Sequence, residues 1–200
     1  MPASITVRSA EVASQPWRNG GGVTRPLLVR PRGDQWQVRV SVADVSVNGP
    51  FSRFPGVQRW FAVLDGAGVV LTIGSTEHRL DTGSDAFSFR GDVAVRCRLV
   101  DGPTRDLNLM LNGVPGSVRR VVAAEEWRPE TSECGLYAIT AGECDATAPD
   151  ERAPMPAHAL RWWAQAPESL AFAGQGWWLS AGIGARSSGA VASHSPAVIA

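Results

Sequence analysis

The chain has 200 residues, 44% of them apolar, and its 19 basic and 19 acidic residues cancel to a formal net charge of zero. That is enough apolar material for a packed core, so a disordered chain is excluded, and the balanced charge argues against a nucleic-acid partner. Every basic residue is arginine, and Cys97, Cys134 and Cys144 form an odd set without a CxxC spacing, which fits neither a disulfide framework nor a structural zinc site. Residues 1–10 lack the continuous apolar run of a signal peptide, and no stretch approaches the ~20 apolar residues of a membrane span. The expectation is a cytoplasmic protein with no membrane partner.

Residues 5–7 read as a short opening strand that leads into Pro16-Trp17-Arg18-Asn19-Gly20-Gly21-Gly22-Val23-Thr24-Arg25. A glycine costs up to about 1 kcal/mol relative to alanine in a regular element, so three in a row mark backbone that takes φ > 0 or approaches something closely. Asn19 tolerates left-handed geometry, and its amide suits either locking a turn or meeting a ligand. Residues 23–29 form the departing strand, which Pro26 and Pro31 restrict to an edge or a bulge. After the turn at Arg32-Gly33-Asp34, residues 36–43 alternate: Trp36, Val38, Val40 and Val42 point one way, Gln37, Arg39, Ser41 and Ala43 the other. Residues 44–56 place Phe51-Ser52-Arg53 between the turn signals Asn48-Gly49-Pro50 and Phe54-Pro55-Gly56, and read as a loop that packs aromatics.

Residues 59–64 and 69–73 are predicted to run back on each other as a hairpin across Asp65-Gly66. Residues 87–89 and 93–98 are further strands, and in residues 106–111 Asp106, Asn108 and Met110 share one face while Leu107, Leu109 and Leu111 share the other. From Ser117 the pattern restarts in weaker form. Residues 60–66 find an echo in 136–142, and 87–91 in 170–174, a partial internal repeat. Residues 146–156 are rich in proline and acid and read as a loop, Trp162-Trp163 and Trp177-Trp178 as core or inter-sheet anchors, and residues 186–200 as a frayed tail. No long amphipathic helix is found. Many short strands between Gly/Pro turns imply an all-β sandwich or barrel.

Four blocks can then be read together: the 16–25 stretch, Arg39-Val40-Ser41-Val42-Ala43-Asp44-Val45, Gly49-Pro50-Phe51-Ser52-Arg53-Phe54-Pro55-Gly56, and Asp101-Gly102-Pro103-Thr104-Arg105-Asp106-Leu107-Asn108-Leu109-Met110. They resemble the HutD/Ves family, in the family's order, over about residues 5–113. The resemblance implies a bicupin: two small cupin-like β-barrels of the RmlC-like jelly-roll type, with an N-terminal half at 1–113, a C-terminal half at 114–186 and a tail at 187–200. It also implies a modulator of histidine utilisation that binds a pathway intermediate of the formylglutamate or urocanate class. Two positions depart from the family pattern. Pro26 stands where an acidic residue usually follows the Thr-Arg pair, and Leu111-Asn112 replaces arginines after the Asn-x-Met motif.

Metal-binding cupins hold one divalent ion with a His-x-His pair, a Glu and a later His. Here His78, His158 and His194 are solitary and read as surface or loop residues, and residues 65–68 are Asp-Gly-Ala-Gly, so no metal and no cofactor is expected. A nucleophile elbow, a Cys/His pair and a phosphate loop are also missing, so no catalytic residue is assigned. Cys97, between Arg96 and Arg98, is either a thiol of lowered pKa or a small buried strand residue.

What remains is a set suited to a small anion. In a barrel, inward and outward residues alternate, so Arg39 and Ser41 can face the lumen with Asp106 and Asn108, while Trp17, Asn19, Gly20, Gly21 and Asp44 complete the candidate site. An arginine fork binds a carboxylate through two parallel hydrogen bonds; alternatively Arg39 pairs internally with Asp44 or Asp106. The leading expectation is a non-enzymatic carboxylate-binding protein. The alternative is a metal-independent isomerase or hydrolase using Asp44, Asp65 or Asp106 as a general base. A homodimer built through the aromatic loop or the Trp pairs is a third expectation.

Overall fold

In the computed structural model, which describes residues 4–123, 125–147 and 151–183, strand alternation decides the architecture. The first eleven strands are β1 (Ser4–Arg8), β2 (Gln15–Pro16), β3 (Gly22–Arg30), β4 (Val38–Val45), β5 (Gly49–Pro50), β6 (Val57–Asp65), β7 (Val69–Ile73), β8 (Thr76–Leu80), β9 (Phe87–Arg90), β10 (Val95–Leu99) and β11 (Thr104–Asn112). There follow β12 (Gly116–Arg120), β13 (Glu133–Ala138), β14 (Gly142–Thr147), β15 (Glu151–Met155), β16 (Ala159–Trp163), β17 (Ser169–Phe172) and β18 (Gly176–Ala181). Among the described residues the sole helical element is a 3-10 turn at Ser9–Glu11. No described helix is long and apolar enough to cross a membrane.

The strands form two antiparallel double-sheet barrels. One joins a six-stranded sheet, β2-β3-β4-β11-β6-β9, to a four-stranded sheet, β5-β10-β7-β8; the other joins a five-stranded sheet, β1-β16-β13-β18-β12, to a three-stranded sheet, β15-β14-β17. The chain is all-β with the double-barrel plan of a bicupin. The two largest sheets pack back to back. Their shared core takes Val38, Val40 and Val42 of β4 and Leu107, Leu109 and Leu111 of β11 from one side, and Leu160, Trp162, Trp177 and Leu179 from the other. Because strand side chains alternate, the residues between these fill the barrel interiors. Val45, Phe61, Val63, Leu71 and Cys97 pack inside the first barrel, and Leu136, Met155, Trp163, Phe172 and Trp178 inside the second. Each Trp pair therefore serves two cores, with neighbouring indoles on opposite faces of one strand.

Several local expectations need correction. β6 and β7 do not pair as a hairpin: both edges of β6 are occupied by β11 and β9, and β7 pairs with β10 and β8 in the other sheet. Gly66 and Gly68 both take positive φ, +93° and +98°, and turn the chain from one sheet to the other. A side chain at Gly66 would run into the Pro103 carbonyl. β7 pairs instead with β8, a polar strand that carries His78 stacked on Phe87 at 4.4 Å. Trp36 and Gln37 lie before β4 rather than in it. Residues 142–147 and 151–155 are strands, with Cys144, Ala146 and Met155 buried; Pro154 is accommodated because β15 is an edge. The bulge expected from Pro26 is present, as a register shift between Pro26 and Leu28 against β4.

The repeat is real in topology. β11 lies between β4 and β6 as β18 lies between β12 and β13, and β7 lies between β8 and β10 as β14 lies between β15 and β17. The echo of 60–66 in 136–142 falls on equivalent strands, and Gly142 meets the Ala173 carbonyl as Gly66 meets Pro103. The echo of 87–91 in 170–174 does not, since β9 corresponds to β16 and not to β17. The tail at 186–200 and His194 lie outside the described residues.

Charged links tie the barrels at the rim of the shared core. Arg30 of β3 donates from Nη2 to Glu133 Oε1 at 2.9 Å, its Nε lies 2.9 Å from Oε2, and Trp162 Nε1 donates to Oε2 at 2.7 Å. Arg120 stacks on Trp177 at 4.3 Å and donates to the carbonyls of Thr82 and Ser84. Glu133 is buried and serves both Arg30 and Trp162, so Glu133→Ala leaves a buried indole donor unsatisfied and a guanidinium without its partner. It is expected to lower stability by about 2–4 kcal/mol. The change should be read as a lower urea midpoint at unchanged m-value.

Candidate functional site

Three neighbouring strands of the six-stranded sheet place the inward side chains row by row. Arg39 and Arg59 flank Met110 across β11; one row along, Ser41 and Phe61 flank Asn108; in the next, Ala43 and Val63 flank Asp106. The first two rows open onto a cavity of about 60 Å³, also lined by Trp17, Asn19, Thr24, Val45, Pro50, Phe51, Ser52 and Phe54. That volume accommodates roughly four to six water-sized atoms.

Arg59 is the most constrained of these groups. Its guanidinium sits 5.3 Å from the Phe51 ring centre, 5.6 Å from Phe54 and 5.0 Å from Phe89, and it donates to Asn108 Oδ1 at 3.0 Å and to the Ser52 carbonyl at 3.4 Å. Three aromatic faces favour the cation, yet burial, with the charge of Arg39 adding to it, pulls its pKa down to about 10. Burial lowers the pKa of Arg39 as well. Both stay charged at neutral pH. Neither forms an ion pair among the described residues, and both Nε atoms are buried without a hydrogen-bond partner. Two guanidiniums in one enclosed space without a carboxylate create an uncompensated positive site.

The uncharged polar groups reinforce that polarity. Asn19 Oδ1 accepts the Gly21 N–H at 2.9 Å, and Asn108 Oδ1 accepts from Arg59, so each amide offers its NH2 to the cavity. Thr24 Oγ1 accepts from Trp17 Nε1 at 2.7 Å, leaving its hydroxyl hydrogen to donate. The lining side chains include no Asp, Glu, His or Cys. This set binds acceptors.

Trp17, Asn19, Arg39, Ser41 and Asn108 are thus brought together as the sequence suggested, while four other candidates are not on the wall. Asp44 shares the parity of Val38, Val40 and Val42 and points to the opposite face, where it pairs with Arg25 at 2.5 Å and Arg105 at 2.7 Å. Those two cations hold its carboxyl below the usual range against the opposing effect of burial. Gly20 and Gly21 belong to the turn. Gly20 supplies its positive φ of +69°, the Gly21 carbonyl accepts the Ser46 and Val47 N–H groups, and a side chain at Gly22 would strike the Asp44 carbonyl. Gly20 is thus required by its conformation and Gly22 by the neighbouring backbone, while a side chain at Gly21 would meet the Asn19 amide. Asp106 does face the lumen but is fully enclosed beside the cavity rather than part of its lining. Asp65 caps its own turn by accepting the Gly66 N–H.

Arg59, Phe51 and Phe54 line the cavity and were not among the candidates read from the sequence. For Arg59 a signal was present: it is in phase with Phe61 and Val63, so a charge occupies an inward position of an otherwise apolar strand face. Cys97 is a buried strand residue whose thiol is pushed up to about 12, by burial first and by Asp106 second. The lumen does not fit a cupin metal, because paired guanidiniums repel a cation and supply no lone pair. Among the described residues no group of three or more His, Cys, Asp or Glu is placed to hold an ion.

A family model described as HutD matches residues 9–179. The chain is 38% identical over 137 residues to an uncharacterized 21.2 kDa protein in the hutC 3' region of Pseudomonas putida, an alignment covering 67% of this chain and 69% of that one. It is 39% identical over 99 residues to protein Ves of Citrobacter koseri, covering 47% of this chain and about half (50%) of that relative's length. Among solved structures, HutD from Pseudomonas fluorescens SBW25 aligns with a TM-score of 0.79 at 26% identity, over 90% of this chain and 98% of that one. An oxalate decarboxylase, with a TM-score of 0.63 at 9% identity over 88% of this chain and 76% of that one, shares the cupin fold.

The enclosed Asp106 has a measurable consequence. Its Oδ2 is 3.1 Å from Thr104 Oγ1, its Oδ1 has no partner, and burial pushes its pKa up to about 8. The folded chain therefore keeps a proton that the unfolded chain, with an ordinary carboxyl near 4, has released. Stability contributed by this group falls as pH rises from about 4 to about 8, by about 1.4 kcal/mol per pH unit at most. Asp106→Asn removes the slope, so the variant should gain on the wild type progressively in urea unfolding at pH 5, 6.5 and 8.

Proposed function

The chain belongs to the HutD family, and from that membership and the donor-only cavity we propose that it binds a small carboxylate metabolite and that ligand occupancy modulates histidine utilisation. The carrying observation is the pair of buried, unpaired guanidiniums of Arg39 and Arg59 above a wall with no ionisable acid or base. A carboxylate supplies the missing counter-charge and accepts from the arginine forks, the Asn19 and Asn108 amides and the Ser41 hydroxyl. Phe51, Phe54, Phe61 and Trp17 exclude water and strengthen those contacts. Formylglutamate and urocanate are the candidate ligands, each presenting a carboxylate small enough for the enclosed space. The wall holds positioned donors and no proton acceptor, which favours binding over turnover.

A thermal-shift series with formylglutamate and urocanate tests the reading. At a hundred times Kd a ligand adds about 2.7 kcal/mol, which raises Tm by roughly 5–10 °C in a protein of this size. Arg39→Ala is expected to abolish the ligand shift while leaving the ligand-free Tm unchanged or higher, since it removes a desolvated, unpaired charge. A ligand shift that persists in Arg39→Ala would count against the site.

A further inference from the structure

Among the described residues Asp106 is the one acidic group in the lumen that holds the arginine pair, and its placement bears on when an anion can enter. It neighbours Asn108 on the inward face of β11, about 7 Å along the strand. Asn108 in turn fixes Arg59. Across the sheet from Asp106 lies Ala43, part of the cavity wall. No arginine among the described residues reaches Asp106, whose single hydrogen-bond partner is the neutral Thr104 hydroxyl and whose Oδ1 is orphaned at 0% exposure. An ionised carboxylate there would be a buried charge with one neutral partner, a costly arrangement that a proton removes.

The neighbouring charge acts in the same direction, against the Thr104 hydrogen bond, which favours the ionised form. Asp44 of β4, on the opposite face, disfavours a second negative charge, and from the facing sheet β10 presents the Cys97 thiol, itself pushed up by burial and by Asp106 and so neutral. Thr104 and Asn108 on β11 are neutral. Arg39 on β4 and Arg59 on β6 lie further along the same lumen, without ion-pairing to the carboxyl.

We infer that Asp106 is a proton-operated counter-charge for the anion site: protonated, it leaves the guanidinium pair uncompensated and receptive, and ionised, it supplies negative charge from within and opposes the ligand. This rests on the anion-site reading above. Proton release from Asp106 and anion binding are reciprocally linked, so a bound anion raises the carboxyl pKa and binding takes up a proton. Two charges about 10 Å apart at an effective dielectric near 20 shift each other's equilibrium roughly tenfold. Affinity should accordingly be highest below pH 7 and fall about tenfold by pH 9. The pKa of Arg59, about 10, lies above that window.

The test is calorimetric titration of the full chain with formylglutamate from pH 6 to pH 9, in buffers of different ionisation enthalpy, beside carbon NMR of the Asp106 carboxyl with and without ligand. Formylglutamate itself does not titrate in this range, its carboxyls being ordinary ones near 4. Proton uptake on binding, an affinity falling with pH in the wild type and not in Asp106→Asn, and a carboxyl titration moved upward by ligand are the expected results. Should Asp106→Asn fail to fold, the wild-type NMR titration decides alone. Binding with no pH dependence, or a carboxyl that does not titrate between pH 7 and pH 9, overturns the inference and leaves the anion site standing. Absence of formylglutamate binding at every pH overturns both.

Discussion

The back-to-back packing of the six- and five-stranded sheets is the constraint on which the rest of the molecule depends. An interface filled by Val38, Val40, Val42, Leu107, Leu109, Leu111, Trp162 and Trp177 leaves no place for a polar group between those positions, and Asp44 and Arg105 share the two faces only beyond Val42 and Leu107, where they pair with each other. With a side-chain period of two, every polar residue of β4 and β11 between those positions is forced into the first barrel's lumen. The lumen thereby acquires Arg39, Ser41, Asp106 and Asn108, and β6 adds Arg59 by the same rule. On the equivalent strands the second barrel carries Cys134, Leu136, Ala138, Trp163 and Trp178, its Ser117 and Ser180 hydrogen-bond to each other and Arg119 is exposed, so its interior is a packed core. One fold unit, used twice, gives one barrel with a polar cavity and one with a packed interior.

Two unpaired guanidiniums in a barrel interior oppose folding, and the structure shows how the cost is contained. Arg59 lies against three phenylalanine faces and shares its protons with Asn108 and Ser52. Acids that would neutralise the pair are kept away from it: Asp44 is held on the other face by Arg25 and Arg105, and Asp106 is enclosed with Thr104. The lumen keeps its charge because both nearby carboxyls are occupied or neutral. Such preorganisation is how a binding site avoids rebuilding itself when the ligand arrives.

The sequence shows the site where periodicity governs and hides it where backbone packing does. Arg39, Ser41 and Asn108 are legible because alternation with valine and leucine leaves them one direction to point. Asp44 obeys the same parity and could have been assigned to the other face from Val42 alone. Arg59 was obscured by its place at the start of an apolar run. The run Gly20, Gly21 and Gly22 misled for a physical reason: glycines signal positive φ or close approach, and the turn at Gly20 and the Asp44 backbone against Gly22 meet those requirements as well as a ligand does. The hairpin expected between β6 and β7 failed because a turn sequence fixes a reversal but not which sheet the departing strand joins. Within 146–156, proline and acid composition hid strand segments that bury Ala146 and Met155.

The exchange of β1 into the second barrel carries a consequence for biosynthesis. Thr6 pairs with Arg161, 155 residues downstream, so β1 is paired only once the strands up to β16 have been synthesised. At about 5–20 residues per second the wait is roughly 8–30 s. During that interval the first barrel can close by itself, since all strands of its two sheets lie between residues 15 and 112. The nascent chain thus holds a closed first barrel flanked by an unpaired edge, and Thr6 and Arg8, polar residues on that short strand, make it a poor template for joining another chain.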